Sequence, residues 1–189
     1  RMRPNFAQVY GLRGLAYHNQ GDDVRAVADY DERLNREPEI GTYLNRGDAR
    51  RNLKNYTGAS DDYSEAIRLA PANPGGWKGR GFIRMMTQDF KGSVADFDEA
   101  IKLDPSEAGV YMNRGSSLAM LGEKARALAD YEMAIKIDPT HPLHHVSRAM
   151  LLAEMGKRAD AIAGLKKALA IAPNFPPALE QLKKIEAKS

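Results

Sequence analysis

Apolar residues recur along this chain at helical spacing, in stretches of about a dozen residues. One such stretch holds Tyr131, Ala134, Ile135 and Ile137, four side chains that share one side of a helix. Punctuation separates the stretches. Prolines stand at Pro38, Pro71, Pro105, Pro139 and Pro173, spaced 33, 34, 34 and 34 residues apart. Each is expected to end a helix, because proline lacks the N–H that continues one. Pro74, Pro142 and Pro176 follow closely and are expected to open the next helix, where the missing N–H costs nothing. Gly21, Gly122 and Gly156 mark the end of another helix within the period, at a turn suited to left-handed backbone. Each period therefore reads as two helices.

Other residues keep the same period. Gly14, Gly47, Gly81 and Gly115 recur, with Ala149 in the fifth place. An arginine precedes each, at Arg13, Arg46, Arg80, Arg114 and Arg148. Tyr10, Tyr43, Trp77 and Tyr111 lie three or four residues before these glycines, and His145 takes that place in the fifth period. Later come Ala26, Ala59, Ser93, Ala127 and Ala161, then Tyr30, Tyr63, Phe97, Tyr131 and Leu165. Three residues on stand Arg33, Ala66, Ala100, Ala134 and Ala168. Glycine in one helix and alanine in the other let two backbones approach closely, with the aromatic filling space beside them.

This pattern resembles the tetratricopeptide repeat (TPR) family, a 34-residue helix–turn–helix repeat. The resemblance covers residues 7–175. It implies an all-α, right-handed superhelical α-solenoid of stacked antiparallel helix pairs, expected as a single domain. Repeats are expected at 7–39, 40–73, 74–107, 108–141 and 142–175, with a capping helix in 176–189. In that last segment Leu179, Leu182 and Ile185 share one face, and Lys183, Lys184, Glu186 and Lys188 lie mostly elsewhere. That is the polar end a stacked array needs. Repeat five departs most, with His145 and Leu165 at aromatic positions. Only six residues precede repeat one, and the chain begins at Arg1, so it reads as a fragment of a longer product.

Composition agrees with helix. Alanine occurs 27 times, against 19 Val, Ile and Thr together, a balance that disfavours strand. There is no cysteine, which excludes disulfide scaffolds, thiolate metal sites and cysteine nucleophiles. The longest uncharged run, Ala168–Leu179, spans 12 residues with three prolines, too short and broken for a membrane span. The compartment stays open, with cytoplasmic and periplasmic locations both compatible. Net charge is +3, and its excess falls in residues 142–189, with 8 basic and 4 acidic groups. No aromatic–basic interleaving accompanies it, so nucleic acid is not an expected partner.

The arginine ladder reads in two ways. It could form a basic stripe for phosphate. However, Asp29, Asp62, Asp96 and Asp130 each follow an arginine by 16 residues, so ion pairs joining the helices of a repeat are the favoured reading. The fifth period has Gly164 at the acid position, leaving Arg148 to pair with Asp130 or to stay free. His141, His144 and His145 cluster, yet Pro142 interrupts the spacing and His145 sits at a packing position, so no metal site is expected. Gly75-Gly76-Trp77-Lys78-Gly79-Arg80-Gly81 fits no phosphate-loop pattern, and within it Gly79 has no explanation from the repeat. No catalytic constellation and no cofactor site emerge, and the reading is against an enzyme.

What the resemblance implies for function is a concave groove lined by first helices. Its positions carry Leu12, Leu15, His18 and Asn19 in repeat one, and Leu44, Asn45, Asp48, Arg51 and Asn52 in repeat two. Repeat three offers Lys78, Phe82, Met85 and Met86; repeat four offers Met112, Asn113, Ser116 and Met120; repeat five offers Val146, Ser147, Met150 and Glu154. Five of eight methionines fall here, and flexible thioethers suit a mouldable binding surface; filling space between first helices is the competing account. Asn45 and Asn113 are placed to clamp a peptide backbone. Phe82, Met85 and Met86 are the expected apolar pocket. The expected partner is a protein or peptide, with the chain as adaptor or scaffold. Self-association as a homo-oligomer and service as an arm of a larger protein are the alternatives. The carboxylate clamp that some members of this family use for Glu-Glu-Val-Asp chaperone tails is matched at one position in repeats one to three and two in repeats three to five, so that ligand is not expected.

Overall fold

The computed structural model describes residues 6–187; the leader Arg1–Asn5 and the end of the expected cap, Lys188 and Ser189, lie outside them. The described chain is all-α and divides into two compact units that part between Leu103 and Asp104.

The first unit contains α1 (Phe6–Asn19), α2 (Asp23–Leu34), α3 (Ile40–Asn52), α4 (Tyr56–Leu69), α5 (Pro74–Met86) and α6 (Phe90–Leu103). Each odd helix packs on the next even one, each even helix on the next odd one, and α3 touches both α1 and α5. The short turns inside the pairs pass through left-handed backbone at Gly21 (φ 77°), Lys54 (φ 60°) and Gln88 (φ 65°). Only the first supplies the residue that the conformation favours. Side chains cap the helix starts, with Asp22 accepting from Arg25 N and Asn55 from Gly58 N.

The helices of each pair meet at the periodic glycine. A Cβ built on Gly14 or Gly47 would stand 2.8 Å from the ring of Tyr30 or Tyr63, and on Gly81 it would stand 3.0 Å from Phe97. Ala26, Ala59 and Ser93 are fully buried alongside. The ladder ion pairs tie the same helices. Arg13 meets Asp29 through two bonds of 2.7 Å. Arg46 reaches Asp62 at 2.6 Å and Arg80 reaches Asp96 at 2.7 Å. Asp62 and Asp96 each hold a second arginine, Arg50 at 3.0 Å and Arg84 at 2.8 Å. The periodic aromatics lie under the ladder: the Arg13, Arg46 and Arg80 guanidiniums sit 5.4, 5.6 and 5.2 Å from the rings of Tyr10, Tyr43 and Trp77. The ladder also joins successive repeats, since Arg46 reaches back to Asp31 at 2.5 Å and Arg80 to the Ser64 hydroxyl at 3.2 Å.

The second unit contains α7 (Ala108–Met120), α8 (Lys124–Ile137), α9 (Pro142–Glu154), α10 (Arg158–Ile171) and α11 (Pro176–Glu186). Its core gathers Val146, Ala149, Leu152, Ala161, Leu165, Ala168 and Ala178, with Leu182 and Ile185 packed against it. The cap face differs in one residue from expectation: Ala178 is fully buried, whereas Leu179 is 38% exposed. The turns use Gly122 and Gly156, both left-handed. Arg114 meets Asp130 at 2.6 Å and lies over Tyr111.

The fifth repeat reaches the same packing by other residues. At the crossing of repeats three and four, a Cβ on Gly81 or Gly115 would stand 3.2 Å from the Cβ of Asp96 or Asp130. One Cβ fits there comfortably. In repeat five the glycine has changed helix: Ala149 brings the Cβ, and a Cβ on Gly164 would lie 3.1 Å from it. The exchange removes the ladder carboxylate. Arg148 consequently pairs neither with Asp130 nor with nothing; it binds Glu132 at 2.8 Å. Glu132 is the register equivalent of Asp31, so the inter-repeat half of the ladder survives. His145 Nε2–H donates to Pro139 O at 3.1 Å, as Trp77 Nε1–H donates to Pro71 O at 2.9 Å. The imidazole thus reproduces the indole's bond to the ladder proline.

Candidate functional site

The first-helix positions divide by exposure. In the first unit Leu12, Leu15 and Met86 are 70%, 38% and 48% exposed, and Asn52 is exposed. Leu44, Asn45, Asp48, Arg51, Lys78, Phe82 and Met85 are half-buried. Asp48 organises part of this surface. Its carboxylate accepts from the Tyr63 hydroxyl at 2.8 Å and pairs with Arg51 at 2.9 Å. Arg51 in turn stacks on Phe82, 5.5 Å from the ring centre. Burial pushes the Tyr63 phenol well above its usual range, and the adjacent Asp48 charge adds to this. The hydroxyl therefore stays a donor at neutral pH. The expected Phe82–Met85–Met86 pocket is thus roofed at Phe82 by a guanidinium and is not purely apolar.

Gly79 now has a cause. A Cβ there would stand 2.3 Å from the Tyr63 ring, so α5 approaches α4 only because residue 79 has no side chain. Its register equivalent at the preceding junction is Asn45, facing Tyr30. There a hollow of about 330 Å³ remains, lined by Leu12, Leu15, Tyr30, Arg33, Asn45 and neighbours.

In the second unit Met120 and Met150 are 67% and 41% exposed, whereas Met112 is 8% exposed. Asn113 and Ser116 are half-buried. The Ser116 hydroxyl lies 2.9 Å from Met112 O and 3.3 Å from the Tyr131 hydroxyl. Met150 lines two hollows. One, of about 220 Å³, includes Ser116, Tyr131 and Ser147. The other, of about 360 Å³, includes Arg158, Gln181 and Ile185. His144 is buried with its Nδ1 3.1 Å from Asp138 O, and His141 stacks on it at 4.6 Å. Among the described residues no group of three or more His, Asp or Glu side chains is placed to hold a metal. No helix among them is long and apolar enough to cross a membrane.

Reading first helices alone misses Tyr30 and Arg33, because both lie on α2. The signal was available in register. First-helix residues Leu15, Asp48, Phe82, Ser116 and Met150 precede Tyr30, Tyr63, Phe97, Tyr131 and Leu165 by 15 residues each, the spacing at which Asp48 and Ser116 meet their phenols. At that spacing a hydroxyl is matched with a polar residue, and an apolar residue with an apolar one, in every repeat but the first.

Family models for the tetratricopeptide repeat match residues 40–73 and 85–142. These residues belong to the tetratricopeptide repeat family. No curated protein sequence matches it significantly. Solved tetratricopeptide and related structures share its fold. MamA 41-end from Desulfovibrio magneticus RS-1 is 15% identical with a TM-score of 0.85, covering 91% of this chain and 98% of that one. YrrB, described as a TPR protein with an unusual peptide-binding site, is 22% identical with a TM-score of 0.78, covering 92% and 90%. TTC0263, a thermophilic TPR protein from Thermus thermophilus, is 18% identical with a TM-score of 0.74, covering 96% and 99%.

Proposed function

We propose that this tetratricopeptide chain is a protein-interaction module whose first-helix faces grip a peptide segment of a partner protein. The observation that carries this reading is the Tyr63–Asp48–Arg51–Phe82 chain of contacts. It fixes charged and aromatic groups on one half-exposed surface, with Asn45 one helical turn from Asp48. A surface that holds its polar groups in place before binding loses less side-chain entropy on binding. Extended peptide backbone offers paired donors and acceptors, which Asn45 and Asn113 are equipped to meet. Leu12 and Met86 in the first unit, and Met120 and Met150 in the second, supply adaptable apolar contact. The peptide-binding site named for YrrB supports this choice of ligand class. The reading assigns no chemistry to the chain, which acts by binding.

Peptide display against the whole chain tests it. Selected peptides are then measured by calorimetry against Asn45→Ala, Asn113→Ala and Met85→Glu. We expect at least one of the three to weaken binding about tenfold or more. Unchanged affinity in all three would refute the first-helix assignment.

A further inference from the structure

The hollow between α1, α2 and α3 departs from the repeat at three positions, and the departures converge. Arg33 stands where the other repeats have Ala66, Ala100, Ala134 and Ala168. Gly11 stands opposite, where they have Leu44, Lys78, Met112 and Val146. A Cβ on Gly11 would come within 3.1 Å of Arg33 Cδ, so the glycine makes room for the arginine. Leu15 stands where Asp48 and Ser116 bond the phenols of their own repeats.

These exchanges leave one buried polar group unsatisfied and one cation loosely held. The Tyr30 hydroxyl is buried and has no hydrogen-bond partner among the described residues. Burial pushes its phenol up to about 12, so it is an O–H donor at neutral pH. The Arg33 side chain is 13% exposed, and its nearest carboxylate, on Glu37, is 3.9 Å away. That is beyond hydrogen-bonding distance. Both residues line the hollow, together with Asn45 and the exposed Leu12. Glu39 lines it too, but its oxygens are taken by Gly41 N, Thr42 N and the Thr42 hydroxyl at 2.8–2.9 Å. A buried donor without an acceptor is costly, the half-buried Arg33 beside it has only a long ion pair to the exposed Glu37, and one ligand group answers both.

We infer that this hollow is a carboxylate site: it receives an acidic side chain of the bound peptide between the Tyr30 hydroxyl and the Arg33 guanidinium, with an adjacent apolar residue on Leu12 and Leu15. The inference rests on the first-helix reading for its peptide but uses α2 residues which that reading does not. The second repeat already displays the chemistry, with Asp48 accepting from Tyr63 and pairing with Arg51. Here the carboxylate arrives from outside.

The test is an NMR titration of the whole chain with sodium acetate, against sodium chloride and acetamide at equal concentration. A saturable shift of the Arg33 Nε–H and Tyr30 ring resonances with acetate alone is expected. Arg33→Ala restores the repeat's own residue, and Leu15→Asp places an internal carboxylate beside Tyr30. Both are expected to abolish the Tyr30 response while the chain stays folded. A response to acetate no greater than to chloride or acetamide overturns the inference, as does one that persists in Leu15→Asp. For the peptide, N-acetylated and C-amidated binders from the display are compared with Glu→Gln or Asp→Asn versions. The neutral versions should bind at least about tenfold more weakly to the wild type and equally to Arg33→Ala. Binders that lack acidic side chains but need a free C-terminal carboxylate and Arg33 overturn the assignment to a side chain. If no peptide binds, the first-helix reading falls and the acetate titration still decides the hollow.

Discussion

The first and fifth repeats both break the pattern of the other three, with opposite consequences. In the fifth, each break is matched by another. Gly164 gives up its Cβ where Ala149 gains one. Arg148 loses its aspartate and takes Glu132. Leu165 replaces the phenol, so no hydroxyl is stranded. In the first repeat the exchanges also fit sterically, since Gly11 accommodates Arg33. Chemically they do not close, because the buried Tyr30 hydroxyl has no acceptor and the half-buried Arg33 reaches only Glu37, at 3.9 Å. A compensated departure is packing drift. An uncompensated one marks a place where something else completes the structure.

The ladder gives the largest test of this contrast. Asp62 is nearly inaccessible and holds both Arg46 and Arg50. Asp62→Ala should cost about 3 kcal/mol, since it takes from Arg46 and Arg50 their buried acceptor and leaves them only the more exposed Asp31. Glu132→Ala, at the exposed partner of Arg148, should cost about 1 kcal/mol or less. Urea denaturation of both variants checks the difference, and equal losses would contradict it.

The crossing in the fifth repeat comes next. Gly164→Asp alone puts two Cβ atoms where one fits and should cost about 1–3 kcal/mol. Adding Ala149→Gly should recover most of that loss and supply Arg148 with a ladder carboxylate. A double variant no more stable than the single one would show that the exchange is not a compensation.

A smaller effect belongs to the turns. Lys54 and Gln88 hold the left-handed backbone that Gly21, Gly122 and Gly156 hold at equivalent places. Lys54→Gly and Gln88→Gly should each raise stability by about 0.5–1 kcal/mol. Thermal melts that fall instead would oppose this account of the turns.

The smallest is a pH effect in the second unit. Burial lowers the His144 pKa from its ordinary 6.5, and the neighbouring His141 and His145 add to the shift, while its bond to Asp138 O resists it. The unfolded chain then binds the proton more readily than the folded one. Stability is complete above pH 6.5 and falls as pH drops from there towards the folded pKa. Amide exchange in α9 should quicken over that window, and His144→Asn, which keeps a donor for Asp138 O, should flatten the response.

The repeat, the helix boundaries and the intra-repeat ion pairs were legible because each depends on one residue type recurring at one position. Tyr10, Tyr43 and Trp77 under the ladder, and Glu132 as the partner of Arg148, were not. They depend on which side chains face one another across helices, and a single position says nothing of its opposite. Gly79 illustrates the gap. Within its own repeat it has no role, and its cause is Tyr63 in the repeat before. Tyr30 and Arg33 were hidden for a further reason: Tyr30 matched the pattern, and Arg33, though an exception in its alanine column, carries no sign of what stands opposite it.

Leu15→Asp tests the central claim most directly, read by calorimetry with a selected acidic peptide and by denaturation of the same sample. We predict that stability rises by about 1 kcal/mol, since Tyr30 gains the acceptor that Tyr63 already has, while affinity for the peptide falls about tenfold or more. Lower stability with unchanged affinity would contradict the claim that the first repeat is left open for a partner's carboxylate.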